Sequence, residues 1–128
     1  MSLQTPLGRV RGLGSAGSGV HHWWLQRLTS LALVPLSVWL LVSLLSLPGL
    51  DFVTVVSWLA GTWSATLMVL LVLLASWHSS LGVQVILEDY VHEPGLKMLS
   101  LVASAFIHVL VAVIGVFAIL RIAFGSAP

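Results

Sequence analysis

The sequence predicts an all-α integral membrane protein with three transmembrane helices. Of its 128 residues, 59% are hydrophobic and only 7% are charged, and its mean hydropathy is +1.10. Soluble domains carry about 25% charged residues. The chain also contains three apolar runs that each reach the length of about 20 residues that a helical span requires. Composition and run length therefore indicate the same class of fold.

Breaks between the apolar runs predict where the spans end. The sequence SLPGLD at 46–51 ends the first run, and VHEPGLK at 91–97 forms the turn before the third. Residues 52–63 are expected to lie at the membrane interface or to begin the second helix. The predicted spans are then residues 28–47, 62–87 and 98–120.

Short tails are predicted at both ends of the membrane anchor. Residues 1–20 are rich in Gly and Ser and hold no long apolar segment, so they predict a flexible cytoplasmic tail. A cleaved signal peptide is not expected, because the first apolar run is a full span without a small-residue cleavage site soon after it. Residues 21–122 then form the anchor, and residues 123–128 form a short C-terminal tail.

The few charged residues limit both function and orientation. A net charge of +1 leaves no basic surface, which argues against nucleic-acid binding. The absence of cysteine excludes disulfides and thiolate-ligated iron–sulfur clusters in this chain. The N-terminal side of the membrane carries four positive charges, and the other side carries only Arg121; the four are Arg9, Arg11, Arg27 and Lys97. Because positive charge collects on the cytoplasmic side, the N-terminus is predicted to be cytoplasmic.

An intramembrane histidine, His78, is the most informative polar residue. It precedes the predicted end of the second span by nine residues, which is a depth of ~13 Å at 1.5 Å per residue. Ionisable groups at such depth usually face a bundle interior, a cavity or a cofactor, and neutral imidazole is a good ligand for haem iron. Gly82 keeps the same face clear one turn away, either for a planar ligand or for helix contact. A hydrogen bond to a neighbouring helix is the competing interpretation for His78.

His108 is a candidate second ligand. It lies ~16 Å beyond Lys97 along the third span, at a depth close to that of His78 if the two helices are antiparallel neighbours. An intrachain ligand pair is then possible. The alternative is that His108 is a packed, hydrogen-bonded residue and that another subunit supplies the second ligand.

Two further segments carry polar groups at the membrane boundary. Asp89 and Tyr90 follow the predicted second span at the cytoplasmic membrane boundary, where a phenol can donate to a quinone carbonyl or simply belong to an aromatic belt. In GVHHWWLQRLTS, Arg27 with His21 or His22 is suited to an anionic group such as a haem propionate, or to a basic interfacial anchor.

Two motifs resemble those of the small membrane-anchor subunit, the D subunit, of succinate dehydrogenase (succinate:quinone oxidoreductase, respiratory complex II). The resemblance covers about residues 18–122. The N-terminal motif is SGVHHWWLQRLT, and the more specific motif consists of His78, Gly82, Gln84, Val85, Asp89, Tyr90 and Val91.

The resemblance implies specific roles for five residues. His78 would be an axial ligand of the iron of haem b, shared with a histidine of a partner anchor subunit. Tyr90, with Asp89 beside it, would hydrogen-bond a ubiquinone carbonyl. Arg27 and His21 would lie near the haem propionates.

The resemblance also implies a heteromeric helix bundle in the bacterial inner membrane. The partners would be a second membrane-anchor (cytochrome b) subunit, an iron–sulfur subunit and a flavoprotein subunit that holds FAD. The isolated chain, which carries no catalytic residue of its own, would be inactive. Two other classes remain open: a stand-alone b-type cytochrome that uses His78 and His108, and a structural or assembly protein without a cofactor.

Overall fold

The computed structural model describes residues 17–125, together with Thr5, Leu7 and Val10. Within this part of the chain the predicted all-α class is confirmed, since no strand occurs. The elements are α1 (Gly17–Leu45), α2 (Phe52–Leu59), α3 (Thr62–Tyr90) and α4 (Pro94–Phe124). Three of them are long and apolar enough to cross a membrane, at Gly19–Leu45, Thr62–Tyr90 and Pro94–Phe124.

The first membrane helix begins earlier than the sequence predicted. The candidate span starts at Gly19 where residue 28 was expected, and α1 itself already includes Gly17. The physical reason is that VHHWWLQRL contains no helix breaker, so this polar and aromatic segment continues the apolar helix. The end of the predicted N-terminal tail is therefore helical. Residues 1–16 lie outside the described residues, apart from the three named above.

The other two long helices also exceed their predicted spans. Helix α3 continues to Tyr90, and α4 extends from Pro94 to Phe124, which places the start of the predicted C-terminal tail inside α4. Residues 126–128 lie outside the described residues. The predicted spans were shorter because polar and charged residues at the helix ends were excluded from the apolar runs.

Helix α2 is a separate element between α1 and α3. Asp51 caps it by accepting hydrogen bonds from the Thr54 backbone N–H at 3.1 Å and the Thr54 hydroxyl at 2.7 Å. These bonds, the hydroxyl's above all, lower the pKa of the exposed Asp51 carboxyl. Near the C-terminal end of α1, Trp39 stacks on Trp58 of α2 with ring centroids 5.8 Å apart. This contact ties the short helix to α1.

The turn between α3 and α4 is stabilised by a helix cap and by a hydrogen bond between the two helices. Glu93 accepts hydrogen bonds from the backbone N–H groups of Gly95 and Leu96, and Pro94 occupies the first turn, where its missing N–H is tolerated. The Leu96 and then the Gly95 hydrogen bond lower the pKa of Glu93. The cap is therefore present above the ordinary glutamate pKa and is lost as the pH falls through the lowered one. Lys97 Nζ donates to the Glu88 carbonyl of α3 at 2.8 Å.

Helix α3 is the centre of the packing, since it contacts both α1 and α4. It packs closely against α4 at Gly115, where an added Cβ would lie 2.9 Å from Cγ1 of Val72. Few side chains are buried within the chain, and the buried apolar ones are Leu36, Ala65, Leu81 and Ile119. The outer surface is largely apolar, as expected for helices that face lipid or other membrane helices.

We expect Gly115→Leu to destabilise the α3–α4 pair. The new side chain would overlap Val72, and overpacking of this kind costs about 1–3 kcal/mol. Thermal unfolding of the detergent-solubilised protein, followed by circular dichroism, should show a lower midpoint. The control is Gly19→Leu, because a Cβ at Gly19 meets nothing within 4 Å. Equal midpoints for the two variants would argue against close packing at Gly115.

Candidate functional site

His78 lies at the interface between α1 and α3. Its Nδ1 is 2.9 Å from Thr29 Oγ1, and its Nε2 is 3.4 Å from the amide nitrogen of Gln26. The ring is half-buried, and Thr29 is only 3% exposed. The predicted intramembrane histidine therefore faces a neighbouring helix, and both of its ring nitrogens have contacts there.

The Gln26 side chain lies against the surface of α3 at Gly82. A Cβ added at Gly82 would lie 3.7 Å from the Gln26 amide nitrogen and would meet no other heavy atom within 4 Å. Within this chain Gly82 allows the Gln26 side chain of α1 to approach α3, which fits the helix-contact interpretation; the planar-ligand interpretation stays a prediction. Between α1 and α3 the structure thus brings together His78, Gly82, Gln26 and Thr29.

Two buried polar atoms of α1 have no hydrogen-bond partner within the described part of the chain. They are Gln26 Oε1 and His22 Nε2, which belong to residues one turn apart on α1. Buried polar atoms in native proteins nearly always have partners, so such a pair calls for a missing group, an ion or a water. Their position makes the α1–α3 interface the best candidate for a binding site.

His108 lies at a different interface, between α3 and α4. Its Nδ1 is 2.7 Å from the Ser104 carbonyl oxygen, and its Nε2 is 3.1 Å from the Ser79 hydroxyl. Both ring nitrogens are engaged by ordinary hydrogen bonds. His78 and His108 therefore do not form an intrachain ligand pair in this structure, and His108 fits the alternative of a packed, hydrogen-bonded helix residue.

Arg27 and His21 project from the outer surface of α1. The Arg27 guanidinium carbon lies 5.5 Å from the centroid of the Trp23 ring, a cation–π contact. Because Arg27 is adjacent in sequence to Gln26, it lies close to the level of His78 along the bundle. Both Arg27 and His21 are exposed, so an anionic group could approach them from outside the chain.

Asp89 and Tyr90 lie at the end of α3, away from His78. Tyr90 is the twelfth residue after His78 in the helix, a distance of ~18 Å along the axis. Tyr90 is 79% exposed. Asp89 is exposed as well, so both side chains are accessible at this end of α3 within the chain.

Sequence reasoning missed two residues of this site, Thr29 and Gln26. Both lie within the motif SGVHHWWLQRLT and are spaced three residues apart, so they share a face of α1. That spacing was the available signal. Among the described residues, no group of three or more His, Asp or Glu side chains could hold a metal ion.

The fold and the site define the class of this protein as a small multi-pass helical membrane protein with a polar site between its helices. Over residues 1–116 the chain matches the family of the succinate dehydrogenase/fumarate reductase transmembrane subunit, and it belongs to that family.

Relatives agree with this assignment. The chain is 33% identical to the succinate dehydrogenase hydrophobic membrane anchor subunit of Rickettsia bellii, over 87% of this chain and 89% of the relative. It is 34% identical to the subunit of the same name from Rickettsia conorii, over 65% of this chain and 67% of that one. With the succinate dehydrogenase membrane anchor subunit of Reclinomonas americana it shares 31% identity, over 66% and 72% of the two chains. No solved structure matches the chain.

Proposed function

We propose that this chain, within a succinate:quinone oxidoreductase, ligates haem b through His78 and forms part of the ubiquinone site through Tyr90. The observation that carries the proposal is the position of His78. Its Nδ1 is held by Thr29 at 2.9 Å, while its Nε2 has only a long contact of 3.4 Å to the Gln26 amide. An intramembrane imidazole with one anchored and one weakly engaged nitrogen suits an axial ligand.

The residues around His78 fit a haem. Gly82 itself carries no side chain, and the Gln26 amide nitrogen is the atom that faces it, 3.7 Å from where a Cβ would lie. The buried atoms Gln26 Oε1 and His22 Nε2 have no partner among the described residues and are free to contact a bound group. When bound, haem b would supply a one-electron carrier. A second axial histidine would come from the partner anchor subunit, as in bis-histidine sites that leave no open position for oxygen. Arg27 and His21 would pair with the propionates, because a guanidinium and an imidazole suit carboxylates.

Tyr90 would donate a hydrogen bond from its phenol to a ubiquinone carbonyl. Its high exposure at the end of α3 supports this role, since a substrate must reach the hydroxyl while the ring remains in the apolar layer. Asp89 lies next to it in sequence, where its charge would tune the site. An iron–sulfur subunit and the second anchor subunit would complete the pocket at the cytoplasmic face of the bacterial inner membrane.

The chemistry is divided among the subunits. A flavoprotein subunit would oxidise succinate to fumarate with release of two electrons and two protons, and the iron–sulfur subunit would relay the electrons. Reduction of ubiquinone to ubiquinol takes up two electrons and two protons. This chain has no cysteine for a cluster, and its contribution is anchoring, haem ligation and quinone positioning.

The proposal is tested by a reduced-minus-oxidised optical spectrum of the affinity-purified chain with its partners, after gentle solubilisation. We expect a b-type haem band together with co-purifying flavin and iron–sulfur subunits. Those subunits without haem would refute haem ligation while leaving the anchor role intact. Haem on the chain purified alone would favour the single-chain cytochrome, and the absence of both haem and partners would favour a structural protein.

A further inference from the structure

Thr29 contacts Nδ1 of His78, the nitrogen that would not bind iron if Nε2 is the ligand atom. It is the most buried residue of α1 whose side chain is polar, at 3% exposure, and its hydroxyl lies 2.9 Å from Nδ1. We propose that Thr29 is a positioning residue that sets the tautomer and ring orientation of His78, so that Nε2 presents its lone pair to iron. This inference rests on the proposed haem ligation by His78.

The direction of the Thr29–His78 hydrogen bond follows from the proton of the hydroxyl. A threonine hydroxyl has one proton to donate and two lone pairs to accept with. Thr29 Oγ1 lies 2.8 Å from the Leu25 carbonyl oxygen and 3.1 Å from that of Gln26, and carbonyl oxygens can only accept. The proton is therefore committed within α1. Towards His78 the hydroxyl oxygen must accept, which places the imidazole proton on Nδ1.

The contact at the other nitrogen assigns the same tautomer independently. An amide NH2 group can only donate, so the Gln26 amide nitrogen, 3.4 Å from His78 Nε2, requires a lone pair there. The length of this contact makes it a weak hydrogen bond. The Gln26 amide oxygen has no hydrogen-bond partner among the described residues. A ligand at His78 Nε2 can therefore displace the Gln26 amide at little cost in free energy, while Thr29 remains hydrogen-bonded to Nδ1.

Such a hydrogen bond changes how the imidazole binds iron. A ligating histidine whose second N–H donates is fixed in orientation and is a more basic ligand. A more basic imidazole stabilises ferric haem over ferrous haem, which lowers the midpoint potential. Removing the acceptor at Thr29 should therefore raise the haem potential even where the haem stays bound.

The test uses the whole purified complex with three substitutions in this chain. Thr29→Val keeps the shape and removes the hydroxyl, while Thr29→Ser keeps the hydroxyl. Thr66→Val is the matched control, because Thr66 makes the same kind of bond to a carbonyl four residues back, at 2.8 Å to Thr62, but is exposed at the other end of α3. The readouts are haem per complex and the haem midpoint potential from an optical redox titration.

We expect Thr29→Val to retain haem with a raised midpoint potential. A tenfold weaker preference for ferric haem corresponds to a rise of about 59 mV for a one-electron couple. Thr29→Ser and Thr66→Val should match the unsubstituted complex. Loss of haem in Thr29→Val, with haem retained in Thr29→Ser, would also support the proposal. The hydroxyl is present in the serine variant and absent from the valine variant.

Three results would overturn the inference. They are an unchanged potential in Thr29→Val, an equal effect in Thr29→Ser, and a potential rise of the same size in Thr66→Val. A variant at His78 separates this failure from that of the proposed function. Haem that is lost with His78→Ala but unperturbed in Thr29→Val would refute only the role of Thr29, whereas an unsubstituted complex without haem would refute both.

Discussion

Replacement of His78 by alanine is expected to remove haem b from the purified complex or to reduce it to a small residual amount. The substitution deletes the ring whose Nε2 has only a weak contact within the chain, and it puts a methyl group in place of the proposed iron ligand. His108 offers no substitute ligand, because both of its nitrogens are hydrogen-bonded at the α3–α4 interface. The measurement is haem per complex from the reduced-minus-oxidised spectrum.

His108→Ala is the matched control for this experiment. It also removes an intramembrane histidine with two hydrogen-bonding nitrogens, and each variant loses both contacts, at a cost of about 0.5–1.5 kcal/mol per hydrogen bond. The two variants should therefore lose similar stability, but only His78→Ala should lose haem. Haem loss in His108→Ala alone would contradict the assignment of the ligand. Equal loss in both would point to general destabilisation of the bundle.

Tyr90→Phe is expected to slow quinone reduction roughly tenfold, because one hydrogen bond of about 1.4 kcal/mol corresponds to that factor in rate. Succinate oxidation with a soluble dye acceptor should be unchanged, since the dye takes electrons upstream of the quinone. Stability should also be unchanged, because the Tyr90 side chain is 79% exposed within the chain. The measurement is the ratio of quinone to dye activity in the same preparation.

Trp63→Phe provides the control at the opposite end of α3. Trp63 is 80% exposed, close to the exposure of Tyr90, and its replacement also removes a polar handle from an aromatic ring at a membrane boundary. Its ratio of quinone to dye activity should equal that of the unsubstituted complex. A general role for boundary aromatics would lower both variants alike, and an unaltered ratio in Tyr90→Phe would argue against a quinone contact.

The helical class and the importance of His78 could be predicted because both depend on the solvent that the chain occupies. A long apolar run must be helical in lipid, and an imidazole inside one must have a partner. Neither argument identifies that partner. Gln26 was placed outside the first span because the run of apolar residues begins at Leu28, yet the helix continues through it and packs on α3.

The choice between the two interpretations of His108 depends on how the helices pack, which the sequence alone does not determine. Its predicted depth was compatible with a ligand pair, since depth depends only on counting residues along a helix. The side of the helix that faces a given neighbour depends on packing, and here Ser79 and Ser104 satisfy His108 on the α4 side. The exposed residues Arg27, His21 and Tyr90 show a further limit, because their proposed sites need other chains that this sequence does not contain.

The position of α3 between its neighbours has a consequence for biogenesis. Within residues 17–125, α1 contacts α3 but makes no contact with α4, whereas α3 and α4 are joined by a capped turn and a close seam at Gly115. The hairpin of α3 and α4 can therefore fold as one unit during membrane insertion. A flat prosthetic group could then be loaded sideways by parting α1 from α3, without reopening that hairpin.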